Sequence, residues 1–332
     1  MKYIHIEVCP EENKNFTILP FLGSTIRGAF GMGLKSTVCI NPSYNCKDGF
    51  CADKCVYFKF FETPNKTPDY RFDIELNQKN FNFGLFLFND GIYYYPYILA
   101  AIYKMLTDIG IGSARSRFLI NSIKVNGINI IKNEGFDISN IEPNEFDLMK
   151  IFSKNYAAII DIDKSFRIIA HTSGNFNADS AASKSNNNLK NALVKSSRVK
   201  NGEQQEKELK KIKLEFLTPL RIKQNNYLAR AMLGLDELLQ AIYFRICEVE
   251  GKKRQYLDYK PSYKILSKNI QFEDYSRYSN RQHTKMLFGG LVGYIEIENL
   301  DNISYDMFKI SEILGIGKST AFGLGKIHVE CL

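Results

Sequence analysis

The sequence has no long hydrophobic run. No stretch reaches the roughly 18 consecutive apolar residues that a transmembrane helix requires. The first residues, MKYIHIEVCP, alternate like a strand and lack the apolar core of a signal peptide. We therefore expect a cytoplasmic protein with no membrane partner.

Histidine is also scarce. The chain has 4 histidines, His5, His171, His283 and His328, and the segment from position 6 to position 170 contains none. Because histidine is the side chain best suited to moving protons near neutral pH, acid–base chemistry has few candidates here. His5 and His328 alternate with apolar residues in segments that we expect to form edge strands, which favours a structural role for both.

The overall composition is that of a folded, basic protein. The 332 residues are 45% hydrophobic and 13% aromatic, which is enough to build a core and suggests two domains. Lys and Arg number 44 against 36 Asp and Glu, giving a net charge of +8. A surplus of this size is compatible with a polyanionic partner such as a nucleic acid, although it is a weak indication alone.

The order of the predicted elements occurs twice along the chain. The first half predicts strand, helix, strand, strand, helix, strand, at about 2–8, 21–38, 70–77, 81–89, 96–106 and 117–125. The second half repeats it at about 211–222, 236–250, 262–272, 287–298, 305–314 and 326–331, with the second strand poorly defined. This order is that of the βαββαβ ferredoxin-like unit. The predicted fold is therefore α+β, with tandem ferredoxin-like domains whose sheets lie side by side and leave a central groove.

The composition along the chain sets the predicted boundaries. The segment 172–204 is rich in Ser, Asn, Ala and Lys, which is typical of a linker or flexible insertion. We place the N-terminal domain at 1–171 and the C-terminal domain at 205–332. A cysteine-rich insertion spans 39–55, and a glycine-rich loop spans 315–325.

Four of the 7 cysteines lie close together in sequence, at Cys39, Cys46, Cys51 and Cys55. Four thiolates in a short polar segment can surround a tetrahedral Zn²⁺, and an iron–sulfur cluster uses the same number of ligands. Paired CxxC knuckles are absent, so free or redox-paired thiols remain an alternative. A metal held by four protein ligands would be structural, and we expect no cofactor for catalysis.

The C-terminal loop has the pattern GxGxxxxxGxG with Lys318 in its middle. Glycine backbones can turn successive N–H groups outward to hold phosphate oxygens, and a lysine adds a charged contact. The GKST inside the loop is not a Walker A motif, because position 312 is Glu and only a dozen or so residues follow it. The residues predicted to contact nucleic acid here are Gly315, Gly317, Lys318, Ser319, Gly323 and Gly325.

This loop resembles the signature of the repeat-associated mysterious protein (RAMP) superfamily, in particular the Cas-six family of CRISPR-associated endoribonucleases. Two further stretches resemble the branch of that family that carries a cysteine cluster. They are FLGSTIRGAFG at 21–31, and RYSNRQ at 277–282 followed by GGLVG at 289–293. The resemblance therefore touches both ends of the chain.

The resemblance implies a metal-independent cut in CRISPR repeat RNA. In this chemistry the 2′-hydroxyl attacks the neighbouring phosphorus and leaves a 2′,3′-cyclic phosphate and a 5′-hydroxyl. Many family members place a catalytic histidine near the first helix, where this chain has none. The remaining catalytic candidates are His283, Arg27, Lys35 and Tyr44.

Additional basic residues are candidates for contacts with RNA phosphates. Arg277, Arg281 and Lys285 surround His283, and Arg115 and Arg117 follow a Gly-x-Gly turn in the first domain. The implied partner is CRISPR repeat RNA, with other Cas proteins and a second copy of this chain left open. The alternative function is a non-catalytic RNA-binding subunit of a CRISPR effector complex, which the histidine gap favours.

Overall fold

The computed structural model of this protein describes most of both predicted domains. The described residues are 1–41, 45–46, 51, 54–63, 67–132, 135–148, 151, 210–224, 226–231, 234–257, 260–279 and 284–332. The predicted linker at 172–204 and both domain boundaries beside it lie outside these residues, so they stay predictions.

The first domain contains the six predicted elements in the predicted order. They are β1 (Lys2–Pro10), α1 (Gly23–Val38), β2 (Tyr70–Asp73), β3 (Phe83–Phe88), α2 (Tyr95–Lys104) and β4 (Ile120–Val125). The strands pair antiparallel in the order β2-β3-β1-β4, which is the ferredoxin-like arrangement. In β1 the buried Ile4, Ile6 and Val8 alternate with less buried residues, so one face of the sheet lies on α1 and α2.

The second domain repeats this topology. Its elements are β5 (Lys210–Leu220), α3 (Leu235–Val249), β6 (Lys264–Glu273), β7 (Ser276–Ser279), β8 (Thr284–Leu287), β9 (Gly290–Leu300), α4 (Asn302–Leu314) and β10 (Ile327–Cys331). The four main strands pair in the order β6-β9-β5-β10, and β7 and β8 form a separate hairpin between β6 and β9. The two βαββαβ units confirm the predicted α+β fold of tandem ferredoxin-like domains.

Local sequence explains where the second domain's helices begin. Asp301 caps α4, because its carboxylate accepts a hydrogen bond of 2.9 Å from the Ser304 amide. At the start of α3, the Glu237 carboxylate accepts one of 2.9 Å from the Gly234 amide. Both acidic side chains also lie at the positive end of the helix dipole.

We expected both His5 and His328 to lie in edge strands, and the structure agrees for one of them. β10 is an edge strand of its sheet, as expected for His328, but β1, which carries His5, lies between β3 and β4. His5 stacks on Phe86 with ring centroids 4.1 Å apart, and burial lowers the pKa of its imidazole. The expectation of an edge strand is therefore wrong for His5.

The two domains meet across the back face of the first sheet. Phe86 and Phe88 leave the first core and pack in the hydrophobic cluster of α3 and α4. Asn89 Nδ2 donates a hydrogen bond to the Val249 carbonyl at the end of α3. The back face of the first sheet therefore contacts the helices of the second domain.

Arg71 is the main polar link between the domains. Its side chain is fully buried, with Nε 2.6 Å from the Ile313 carbonyl and Nη2 2.8 Å from the Glu312 carbonyl. These carbonyls end α4, where the helix dipole favours a cation. Asp73, on the same strand, accepts from Arg71 Nη2 at 3.2 Å and lies 3.2 Å from Lys326 Nζ. Arg71 of the first domain therefore provides hydrogen bonds to the last carbonyl groups of α4 in the second domain.

Short elements complete the described chain. They are a helical turn at Asp90–Tyr93, π-helical turns at Phe58–Glu62 and Met105–Ile109, a 3₁₀ turn at Thr320–Phe322, and two-residue strands at Ile128–Asn129, Ile131–Lys132, Gly135–Phe136, Asn144–Glu145, Lys223–Gln224 and Tyr227–Leu228. Among the described helices, none is both long and apolar enough to cross a membrane.

Candidate nucleic-acid interface

The glycine-rich loop connects α4 to β10 and is held against the end of β5. The Ile316 amide donates to the Gly325 carbonyl at 2.9 Å, which closes the loop on itself. The Lys318 amide donates to the Arg221 carbonyl at 2.8 Å, and the Gly325 amide donates to the Pro219 carbonyl at 3.1 Å. The loop therefore has a fixed backbone before any ligand binds.

Close packing explains why two positions of this loop are glycine. A Cβ added to Gly317, at φ +79°, would lie 2.4 Å from the Arg221 carbonyl oxygen. A Cβ added to Gly323, at φ +84°, would lie 2.5 Å from Ile74 Cγ1 in the first domain. Any side chain at either position would overlap its neighbour and strain the backbone. Gly323 is thus a contact between the domains, whatever else the loop does.

The tip of the loop is its solvent-facing part. Lys318 is exposed, Gly317 and Ser319 are half-buried, and Gly315, Gly323 and Gly325 are buried. Ser319 has a left-handed φ of +67°. The predicted phosphate contacts that lie at the surface are therefore those of Gly317, Lys318 and Ser319.

Arg27 lies where α1 meets the glycine-rich loop. Its guanidinium carbon lies 4.7 Å from the Phe61 ring centroid and 4.6 Å from that of Phe322 in the loop. Its Nε donates a 3.1 Å hydrogen bond to the Tyr70 hydroxyl, whose pKa is raised by burial. Gly23 is in tight contact at the same junction, since an added Cβ would lie 1.8 Å from the Phe322 carbonyl oxygen. Arg27 thus joins α1, the 57–61 segment and the loop.

Lys35 faces the cysteine-rich insertion. Its Nζ lies 5.4 Å from the centroid of the Tyr57 ring. Arg27 and Lys35 therefore both contact the 57–61 segment, which agrees with the shared helix face that their spacing predicts. Lys35 also lies near enough to the Cys46 thiol to counter, in part, the rise in its pKa that burial causes.

The four clustered cysteines lie in one neighbourhood. The pKa of Cys51 is raised by burial and then by the nearby Cys55, Cys39 and Cys46. Within the described part of the chain, however, no three His, Cys, Asp or Glu side chains are arranged to hold a metal ion. The donor set suits a structural metal, and its assembly around an ion stays a prediction.

The β7–β8 hairpin carries the basic run around His283. Its described ends pair Arg277 with Met286 and Tyr278 with Lys285. Arg281 and His283 lie outside the described residues, as does Tyr44 in the cysteine-rich insertion. The predicted roles of these side chains stay predictions.

Arg221 connects the hairpin to the glycine-rich loop, and the sequence did not single it out. Its Nη1 donates to the Leu287 carbonyl at 3.1 Å and to the Gly289 carbonyl at 2.7 Å. Its own carbonyl accepts from the Lys318 amide, and burial lowers the pKa of its guanidinium. These contacts are to residues more than 60 positions away, so a local pattern could not reveal them.

The first domain contributes a second glycine turn beside this region. Gly110 to Arg117 occupies the connection between the second helix and the fourth strand, as the glycine-rich loop does in the second domain. Ile111 and Ser116 exchange backbone hydrogen bonds of 2.8 and 3.0 Å, which closes the turn. Arg115 and Arg117 are exposed on it.

An open groove separates this turn from the hairpin. Its volume is about 620 Å³, and α1, the 15–19 segment, the 111–116 turn and Ser276 line it. The exposed Arg115 therefore lies on one of the segments that line a groove along α1. Among the described lining residues, Ser276 comes from the second domain and the others come from the first, so the groove reaches the boundary between the domains.

Two family profiles match parts of this chain. Residues 214–327 match the profile of the CRISPR-associated endoribonuclease Cas6 family, and residues 1–141 match a family described as an N-terminal domain. No curated protein sequence matches the chain.

Several solved structures are similar to this chain at low identity. One is a Cas6 product complex, with a TM-score of 0.47 and 11% identity, covering 99% of this chain and 98% of that one. Another is a partial Cas6-RT-Cas1–Cas2 complex, with a TM-score of 0.47 and 12% identity, covering 100% of this chain and 46% of that one. A third is Thermus thermophilus Cas6, with a TM-score of 0.45 and 10% identity, covering 99% of this chain and 98% of that one.

Proposed function

We propose that this chain binds CRISPR repeat RNA and cuts precursor CRISPR RNA, because its residues 214–327 match the profile of the CRISPR-associated endoribonuclease Cas6 family. The family match is the observation that carries the proposal. The repeated βαββαβ topology and the exposed Lys318 at the tip of the glycine-rich loop support it. The same proposal makes repeat RNA the partner, with other Cas proteins and a second copy of the chain as further candidates.

The proposed reaction is an internal transesterification. The 2′-oxygen forms a bond to the adjacent phosphorus while the bond from phosphorus to the 5′-oxygen breaks. A base removes the proton of the 2′-hydroxyl, an acid protonates the leaving 5′-oxygen, and a cation stabilises the charged phosphate. The products are a 2′,3′-cyclic phosphate and a 5′-hydroxyl, and the balance requires neither water nor a metal.

We assign roles to the four candidate catalytic residues. His283, within the basic run of the hairpin, is the candidate base or acid, and Tyr44 is the second proton carrier. Lys35 supplies positive charge near α1. Arg27 is the remaining candidate, and its contacts with two rings and a hydroxyl suit it to positioning the glycine-rich loop against α1.

Phosphate contacts are proposed on both sides of the groove. In the second domain they come from the loop tip at Lys318 and from Arg277, Arg281 and Lys285 of the hairpin. In the first domain they come from Arg115 and Arg117. Because these contacts are electrostatic, binding should weaken steeply as salt rises.

The test is cleavage of a repeat RNA from the same genome in EDTA, beside the same RNA with a single 2′-deoxy at the cut. We expect a cut that survives EDTA and disappears with the 2′-deoxy substitution. His283→Ala should slow the cut by about a hundredfold or more, the usual contribution of one acid–base group. His328→Ala is the matched control, because His328 is an exposed histidine of β10 that pairs with Glu312 of α4 and has no proposed role in the reaction.

The absence of histidine between positions 6 and 170 favours one second candidate. In this alternative the protein is a non-catalytic RNA-binding subunit of a CRISPR effector complex. Tight, salt-sensitive binding of the repeat RNA with no cut under any condition would establish the alternative and contradict the endoribonuclease.

A structural zinc ion is proposed at Cys39, Cys46, Cys51 and Cys55. Four thiolates would bind it without leaving a coordination position for water, so it would hold the insertion and not react. Metal analysis of the purified protein and of a Cys51→Ser, Cys55→Ser variant tests this. Equal metal content in the two proteins would contradict the assignment.

A further inference from the structure

Among the residues that the structure describes, no charged side chain lines the groove along α1. Its lining is a mixture of apolar groups, hydroxyls and small residues. Leu19 and Met32 line it and are 50% and 46% exposed, which is high for large apolar side chains. Exposed apolar surface bordered by polar groups is typical of a binding site.

The rims of the groove are basic in sequence. The exposed Arg115 lies on the 111–116 turn that lines the groove, and Arg277 follows the lining residue Ser276 at the start of the hairpin. A nucleotide has the same two parts, a charged phosphate and a flat, neutral base. The neutral groove therefore fits a base, while the rims fit the phosphates on either side of it.

The hydroxyls of the lining could recognise the edge of a base. Thr25 of α1, Ser113 of the turn and Ser276 of the hairpin come from three different elements. Among the described residues, none of these hydroxyls hydrogen-bonds to another protein group. A base between Leu19 and Met32 would have apolar contact on its faces and hydroxyls at its edge.

Gly28 gives the groove its depth at the helix. It lies in the middle of α1, lines the groove and is exposed. Glycine is the poorest helix former after proline, so an exposed glycine in mid-helix weakens α1. A leucine at this position would add a large apolar side chain to the wall of the groove.

We propose that this groove holds one unstacked base of the bound repeat RNA, and that Gly28 keeps it open. The inference rests on the proposed function and deepens it, because it assigns a base-specific contact to a surface beside the phosphate contacts. The base is held by stacking and edge contacts in the groove, and its two phosphates lie on the basic rims.

The test is a thermodynamic cycle between protein and RNA. Full-length wild-type protein and Gly28→Leu are titrated with repeat RNAs in which single nucleotides are made abasic in turn. We expect one abasic position to weaken wild-type binding roughly ten- to a hundredfold, which is the usual loss of a stacked base. Gly28→Leu should weaken binding of the intact RNA by a similar factor and be insensitive to the abasic change at that position.

Gly135→Leu is the matched control. Gly135 is also exposed, a Cβ there would meet nothing within 4 Å, and it lies outside this groove. The Gly135→Leu variant should bind the intact repeat RNA with the same affinity as the wild-type protein. Thermal unfolding of Gly28→Leu should show equal or greater stability, because leucine favours the helix.

Two results would overturn the inference in different ways. If the wild type binds and cuts the repeat RNA but Gly28→Leu binds it equally well, the groove holds no base and the proposed function stands. If the wild type does not bind the repeat RNA at all, the proposed function fails and the inference falls with it.

Discussion

Lys318 occupies the exposed tip of a loop whose other parts are mostly buried. Its amide is fixed by the Arg221 carbonyl, so the side chain extends from a rigid base. A lysine placed in this way binds a phosphate as a point charge, with little ordering of the backbone. At this scale, the proposed phosphate contact of the loop depends on Lys318 more than on the glycines.

The first prediction therefore concerns Lys318→Ala. The variant should bind repeat RNA more weakly, and the slope of log affinity against log salt should become shallower by about 0.7, the value for one phosphate contact on a single strand. Filter-binding titrations across several salt concentrations give both quantities.

Lys211→Ala controls for the loss of one positive charge. Lys211 is exposed at the start of β5, whereas the loop lies at its other end, roughly 30 Å away at about 3.3 Å per residue. An equal change of slope in the two variants would show a general effect of charge and would contradict a phosphate contact at Lys318.

Sequence patterns predicted some residues of the site and missed others for a physical reason. Lys318 and the four cysteines stand out because their neighbours in sequence form a pattern. Arg71 and Arg221 do not, because their roles come from carbonyls 242 and 66 positions away. An isolated arginine has the same local pattern whether it is exposed or buried between domains.

At the scale of elements, the sequence predicts those helices and strands whose buried and exposed residues alternate regularly. β5 and α3 alternate buried and exposed residues at the periods of a strand and a helix, and their bounds agree closely with those expected. β6 was poorly defined, because most of its residues are exposed and no alternation marks it. The hairpin β7–β8 was missed, since the segment is too short and polar to show a period.

The structure also changes what the glycines of the loop can test. From sequence, bulky β-branched residues at Gly317 and Gly323 together should abolish RNA binding and leave the fold intact. Both positions now prove to be in backbone or interdomain contact, so such a variant would disturb the structure as well.

The second prediction separates these effects with two single variants. Gly323→Ala and Gly127→Ala have almost the same backbone, at φ +84° and +82°, so the left-handed conformation costs each about 1–2 kcal/mol. Gly127 has nothing within 4 Å of an added Cβ, whereas Gly323 would meet Ile74. Gly323→Ala should therefore lose clearly more unfolding free energy in urea titrations. Equal losses would contradict a tight contact between the loop and the first domain.

At the scale of the whole molecule, the interface between the domains is electrostatic as well as apolar. Burial alone would raise the pKa of Asp73, but Arg71, Lys326 and His5 outweigh it, so the pKa lies below its usual value. A carboxylate with a depressed pKa stabilises the fold above its unfolded pKa of about 3.9, and this contribution disappears as the pH falls through the folded value.

The third prediction follows from the lowered pKa of Asp73. Asp73→Asn should be less stable than the wild type at pH 7, because Arg71 loses its carboxylate partner inside the protein. The difference should begin to narrow as the pH falls below about 4, where the unfolded chain takes up the proton, and it should disappear as the pH falls through the lower pKa of the folded wild type. Urea midpoints at pH 7 and pH 3 measure it, with the exposed Glu11→Gln as a control. A difference that stays constant with pH would mean that the carboxylate charge does not stabilise the interface.

The contact between Arg71 and the end of α4 also has a consequence for the nascent chain during translation. The two partners are 242 residues apart, and a ribosome adds about 5 to 20 residues per second. For roughly 12 to 50 seconds, the nascent first domain therefore has an arginine on an apolar sheet face before its partner carbonyls have been synthesised. During that interval the back of the first sheet is a surface for chaperones or for aggregation, and a message truncated before α4 would yield a product with that surface permanently exposed.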